Sequence, residues 1–456
     1  MGIKAELKAL VDELDRTHLG ASSWSAEDGF PEFVTTEVGT QRRFTQKARE
    51  TLWKFSKTLY ENRSPDTLRI ELEHYGKIVR QAVADIHAAG YFSSSDESDH
   101  KDILHEIKLL VETRIEKTSV EYIHYFAAWT LGMEVKSPFR LGPVKFLNRA
   151  DWIDSVDFPQ QAKDNHLSAA EANHRWKDIL KEALQRPRDG SPIEGLAGAV
   201  LDAVIDCPAL IKVTIRGYDL NLSRKLGRLA AKTALDAISL GFGAPECFHQ
   251  QALQDERLPP ISSNSLVESD GFLWLPGMSL GKRVPSFPLQ RVEQGLVDMT
   301  LILPAFAAVL EGLVNPSTHA HPKLANRWAT ALDWFGEGVR ETSDAIALAK
   351  LGTCLDVLSC GGKFAGIRDM VSHLTGVSKI TQVVKGIRPL TLEQLVKDIY
   401  DHGRSKILHG TYYNRLESFA VQRQQAAFLA RAALIESALR LQNFGGLDDE
   451  KAFRTI

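Results

Sequence analysis

From Ala209 to Tyr218 the sequence reads ALIKVTIRGY, with Ile211, Val213 and Ile215 alternating against Lys212, Thr214 and Arg216. A period of two belongs to a strand with one buried face. On both sides of this region the apolar residues recur instead at three and four, the period of an amphipathic helix. Ile3, Leu7, Leu10, Val11 and Leu14 make one such stripe. Phe44, Ala48, Leu52, Phe55 and Leu59 make another. The chain must therefore combine helices with a small sheet, and we expect an α+β fold that is mainly α.

The stripes divide the chain into three regions. Residues 1–118 read as helical, with Ser64-Pro65 opening a helix that carries Leu68, Leu72, Val79, Val83 and Ile86. The polar stretch 91–100 is a loop. Residues 119–290 read as a middle α+β domain. Its strands lie in EYIHYFAAWTLGMEV, RLGPVKFLN, 209–218 and GFLWLPG (271–277). A capping box at Ser168 to Glu171 opens one of its helices, and Leu222, Leu226 and Leu229 share a face of another. Residues 291–456 return to helices. The stretch 327–360 makes one long helix or two, with bends permitted at Gly336, Gly338 and Gly352. A shorter helix covers 363–374. Thr391 caps the next helix, Gly403 breaks it, and a final helix over 413–441 carries Leu416, Ala420, Ala427, Ala430, Leu434 and Leu441.

With 456 residues, 44% of them hydrophobic, the chain can bury an ample core without a disulfide or metal staple. Its net charge of −3 argues against a basic coat for nucleic acid, although one small positive cleft would still hold a phosphate. The four cysteines show no CxxC spacing, which fits a reducing cytoplasm. The N-terminus lacks the apolar run of a signal peptide, and TLILPAFAAVLEGLV is broken by Pro304 and Glu311. We expect a cytoplasmic protein with no membrane partner.

One stretch carries recognisable chemistry. DHGRSKILHG places Arg404 five positions before His409, about 140° apart around a helix. A histidine near neutral pKa can move the proton of a ribose 2′-OH. A guanidinium can hold the neighbouring phosphate. No metal or other cofactor is needed for that reaction. Spacing alone does not single out the pair, because Arg69/His74, Arg80/His87 and Arg368/His373 satisfy the same rule. Arg69/His74 and Arg80/His87 read as lying inside regular helices, and Arg368/His373 as a packed short helix. Only Arg404/His409 has a glycine on both sides, Gly403 and Gly410, where the backbone can turn or admit a phosphate. An arginine and a histidine on an ordinary surface helix remain the competing reading.

The string from Tyr400 to Gly410 also resembles the terminal motif of HEPN domains, above all the ApeA-like group, at Tyr400, Arg404, Ser405, Lys406, His409 and Gly410. CLDVL, with Asp356, resembles the end of that family's preceding long helix, where glutamate is common. The likeness spans about residues 320–443. It implies a dimerising helical bundle and a metal-independent endoribonuclease. Arg404 and His409 would be catalytic, Ser405, Lys406 and Tyr400 would contact the RNA, and Asp356 would support them. Many relatives cut RNA in bacterial anti-phage defence or as toxins, with a trigger or regulatory partner expected at the N-terminal or middle region. Others are non-catalytic dimerisation and binding modules, which is the alternative.

Three further groups have plainer readings. His319 and His321 lack the other ligands of a zinc site and read as a polar loop. SCGGKFAG (359–366) lacks P-loop spacing. Trp328 and Trp334 read as packing residues of the bundle core or a dimer face.

Overall fold

The computed structural model describes residues 2–18, 29–63, 69–90, 99–118, 121–136, 138–166, 175–186, 193–256, 268–269, 272–273, 288–386, 388–411 and 417–456. The fold is α+β and mainly α. It divides into two compact units, the first formed by residues 1–122 with 215–225, the second by 123–214 with 226–456.

In the first unit, the helices Ile3–His18, Gln46–Glu61, Leu72–Ala88 and Asp99–Thr118 bury their stripes together. Leu7, Leu10, Leu14, Phe55, Val79, Val83 and Ile107 form the core. A β-hairpin of Glu32–Thr35 and Gln41–Phe44 interrupts the helices, against the helical expectation. Its turn is signalled by Gly39, at φ 81°, where a side chain would be strained. Phe44, expected on a helix, ends the second strand. Thr45 then caps the helix that follows, its Oγ1 accepting from Ala48 N–H at 3.1 Å.

Arg69 is not on a helix with His74 as expected. It precedes the helix Leu72–Ala88 and bridges Tyr218 in parallel. His74 Nδ1 lies 2.8 Å from the buried Asp219 carboxylate. Ser64-Pro65 and most of the polar stretch 91–100 lie outside the described residues.

In the second unit, an antiparallel meander runs Phe139–Leu141, Val144–Asn148, Ala209–Ile215, and the sheet is completed by Tyr122–Trp129 and Ala252–Leu253. The alternation of 209–215 sets the register: Val213 faces Val144 and Ile211 faces Phe146, all buried. The following helix, Leu220–Phe242, buries small residues, Ala230, Ala231 and Ala234, with Leu235 and Ile238, and not the expected face. Leu229 is exposed. Gly227 allows His124 and Phe126 of the sheet to come within 3.3 Å of where a Cβ would stand. Of GFLWLPG only Phe272–Leu273 is described, as a strand paired with Glu268–Ser269. The capping box at 168–171 lies outside the described residues.

The sheet and the C-terminal helices share this unit. Arg340 pairs with the buried Asp236, and Arg431 Nε donates to Leu240 O at 3.0 Å. The stretch 327–360 is two helices, Pro322–Arg340 and Asp344–Leu358, with Ser343 capping the second. Gly336 and Gly338 do not bend the first helix. They let Asp236 and Leu351 approach, to 2.8 and 2.9 Å from a virtual Cβ. Trp328 is fully buried, its indole N–H donating to Leu434 O at 2.8 Å, whereas Trp334 is partly exposed. The last long helix runs Ala420–Gln442, and Leu416 lies outside the described residues.

SCGGKFAG is filled from within. Arg454 donates to Ser359 O at 2.7 Å and Gly361 O at 2.9 Å, so the loop's carbonyls face a cation of the chain itself. His321 Nε2 lies 2.9 Å from Gly446 O, and His319 Nδ1 accepts from His321 N–H at 3.1 Å. Among the described residues no single helix is long and apolar enough to cross a membrane.

Candidate active site

The segment that holds the candidate residues begins at a capping box. Thr391 Oγ1 accepts from Gln394 N–H at 3.3 Å, and Gln394 Oε1 accepts from Thr391 N–H at 2.9 Å. The helix Leu392–Lys397 continues without interruption into a π-helical stretch, Asp398–Ser405, and a final α-turn, Lys406–Leu408. Gly403, expected to break the helix, lies inside the π-helical stretch. Such wide turns are rare and are frequent at functional sites.

Close packing fixes this stretch against the helix Asp344–Leu358. A Cβ at Gly403 would lie 2.6 Å from Leu348 Cγ. From the other side, a Cβ at Gly352 would lie 3.0 Å from Arg404 Cβ and 3.5 Å from Ile399 O. Leu348, Gly352 and Asp356 recur every four residues, so they line one face of their helix. That face receives Arg404.

The Arg404 guanidinium is held there by two partners. Its Nη2 lies 2.9 Å from Asp356 Oδ2. Its Nη1 makes a long 3.5 Å hydrogen bond to Tyr400 Oη, and its Cζ stands 5.4 Å from the Tyr400 ring centre. The fork is incomplete. Arg404 Nε and Asp356 Oδ1 are both buried, and neither has a hydrogen-bond partner among the described residues. Buried polar atoms are nearly always satisfied, by protein or by water, so the pair leaves one donor and one acceptor for a further group. The shorter reach of aspartate, compared with the glutamate of the resembled pattern, still spans the gap.

His409 closes the segment. It is the C-cap residue, and Gly410 follows it at φ 69°. Gly410 N–H donates to Ile407 O at 3.2 Å and Thr411 N–H to Lys406 O at 3.0 Å, the paired bonds of a Schellman motif. Gly410 thus ends the helix, which is its structural role. His409 and Lys406 are exposed, and Ser405 is half-buried with its carbonyl accepting from His409 N–H at 3.0 Å. The structure therefore brings Tyr400, Arg404 and Asp356 together. Among the described residues no side-chain hydrogen bond joins His409 to them.

The other pairs at this spacing are held by other contacts. His74 is bound to Asp219. His87 Nδ1 accepts from Arg42 Nε at 2.8 Å while its Nε2 donates to Asp15 at 3.0 Å. Arg80 pairs with Glu32. Arg368 bonds Glu393 at 2.8 Å, and His373 Nε2 lies 2.6 Å from an oxygen of Ile456. Among the described residues, His409 alone of the four histidines has a ring with no hydrogen-bond partner. Gly352 and Leu348 went unassigned to the site by sequence reasoning, although their four-residue spacing with Asp356 was the available signal.

No protein-family model, curated protein or solved structure matches the chain.

Proposed function

We propose that the chain is a metal-independent endoribonuclease of the HEPN type, acting through Arg404 and His409. The observation that carries this reading is the unequal treatment of the two side chains. Arg404 is fixed against Asp356 and Tyr400 with its Nε unused, while the His409 ring is exposed and unengaged among the described residues. A fixed guanidinium suits a phosphate that must be held still, and an accessible imidazole suits proton transfer.

In the proposed reaction the ribose 2′-OH attacks the adjacent phosphorus and breaks the bond to the 5′ oxygen. A 2′,3′-cyclic phosphate and a 5′-OH result. One imidazole takes the 2′ proton, and a protonated one supplies the proton of the leaving oxygen. A homodimer would bring two Arg/His sets to one phosphate and so provide both. Lys406 and Ser405 would add phosphate contacts, and the remaining regions would sense a trigger in a defence or toxin setting.

Incubation of the purified chain with total RNA in EDTA tests this. Cleavage is expected, with loss in Arg404→Ala and in His409→Ala. Cleavage that requires a divalent metal, or that survives both substitutions, overturns the mechanism. One observation favours a second reading, a non-catalytic dimerisation and binding module: the Arg404 charge is already met by Asp356. That module predicts that His409→Ala alters partner binding while no RNA product forms.

A further inference from the structure

A second concave feature lies in the same unit, formed by four elements. It is a cavity of about 640 Å³ between the end of the helix Lys363–Thr375, the strand Gln382–Val384, the helix Leu392–Lys397 and the helix Ala420–Gln442. That volume falls within the ~300–1,000 Å³ typical of small-molecule sites. Leu392, Leu395 and Leu429 are buried at its floor. Val377 and Val384 line it as well. At its rim Phe428 is 74% and Val421 63% exposed. Two large apolar side chains left in water beside an apolar recess mark a surface that gains by being covered.

The polar part of the lining is sparse. Lys385 is its one charged residue, and Gln424 and Gln425 supply amides. Among the described residues none of the three side chains has a hydrogen bond or ion pair. A recess with hydrocarbon walls and one unpaired ammonium is complementary to a ligand with a hydrocarbon body and one anionic end. A nucleotide or an RNA phosphate chain would demand more cations and fewer aliphatic walls. A lipid bilayer would meet a convex apolar surface and not a recess.

We propose that this cavity binds a free single-chain acyl anion of the fatty-acid class, with the chain over Leu392, Leu395, Leu429 and Phe428 and the carboxylate at Lys385. The site is separate from Arg404 and His409, and the inference does not rest on the nuclease reading.

Calorimetric titration of the full chain with sodium dodecanoate, below its micelle threshold, tests it. One site per chain is expected. Butyrate, which lacks the hydrocarbon, and methyl dodecanoate, which lacks the charge, should each bind at least about tenfold more weakly, as loss of one of the two contact types implies. Lys385→Glu, at an exposed position, should weaken dodecanoate by a similar factor. Ala432→Trp, on the cavity wall, should abolish binding with the circular dichroism spectrum unchanged. Dodecanoate binding no tighter than butyrate, or binding unaffected by both substitutions, overturns the proposal. So does a chain that ignores dodecanoate but loses self-association in sedimentation when Ala432 is replaced, since a second copy would then cover the recess. Lys385-dependent binding to phosphatidylglycerol vesicles without dodecanoate uptake overturns it in favour of a membrane.

Discussion

Gly403 and Leu348 meet so closely that a β-carbon on the glycine would stand 2.6 Å from Leu348 Cγ. The contact joins the π-helical stretch to the helix that carries Asp356, so it sets where Arg404 can lie. Gly403→Ala should therefore overpack the contact and destabilise the chain by about 1–3 kcal/mol, measured by urea unfolding. An unchanged midpoint would show that Leu348 can move aside at no cost.

The ion pair between Asp356 and Arg404 is open to a double-mutant cycle. Asp356→Asn keeps the shape but removes the charge that faces the guanidinium, and a loss of about 1–3 kcal/mol is expected from a charged hydrogen bond in this setting. Arg404→Gln on that background should cost less than it does alone, because the two residues act as one contact. Strict additivity in unfolding free energies would mean that the pair contributes nothing jointly.

Acid stability should depend on Glu341. Burial opposes its charge, yet Lys350 Nζ at 2.9 Å and the N–H groups of Thr342 and Ser343 outweigh that and hold the carboxyl down at about 2. A carboxyl whose folded pKa lies below its unfolded value stabilises the fold above the unfolded value, and the benefit fades as pH falls. The window runs from the ordinary 4.5 down to about 2. Glu341→Gln should be less stable at neutral pH and decline less steeply through this window. Parallel stability curves for the two proteins would refute the assignment.

Thiol reactivity should single out Cys360. Cys207, Cys247 and Cys354 are buried, and burial pushes the Cys247 thiol up to about 11 and Cys354 upward as well. Cys360 is partly exposed. Ellman's reagent should label one thiol in the native chain, and Cys360→Ser should remove that signal. Rapid labelling of a second thiol would contradict the burial of the other three.

The parts of the fold that local chemistry dictates were legible beforehand. The alternation at 209–215 specified a strand, and Thr391 with Gln394 announced a helix start. Other features depend on partners far along the chain. Phe44 has the spacing of a helical residue, and only the tight turn at Gly39 returns it to a strand beside Val34. Leu229 has the hydrophobicity of a core residue, but close packing on the sheet selects the alanine face of its helix. Arg69 and His74 lie five apart in a helical pattern, yet Tyr218 and Asp219, some 150 residues later in sequence order, hold them. At the candidate site, the motif residues were visible as a string. Their attachment to Asp356 through facing glycines required the two helices to be set side by side.

The π-helical stretch has one more consequence. A wide turn is an α-helix that contains a residue more than its register needs. Removing any one residue from 398–403 would let the stretch relax to ordinary helix and rotate all that follows by about 100°. Arg404 would then swing away from Asp356, although no side chain of either had changed. The aim of the guanidinium is thus encoded in chain length as well as in chemistry. A scan of single deletions would expose that dependence, where a scan of alanines passes over it.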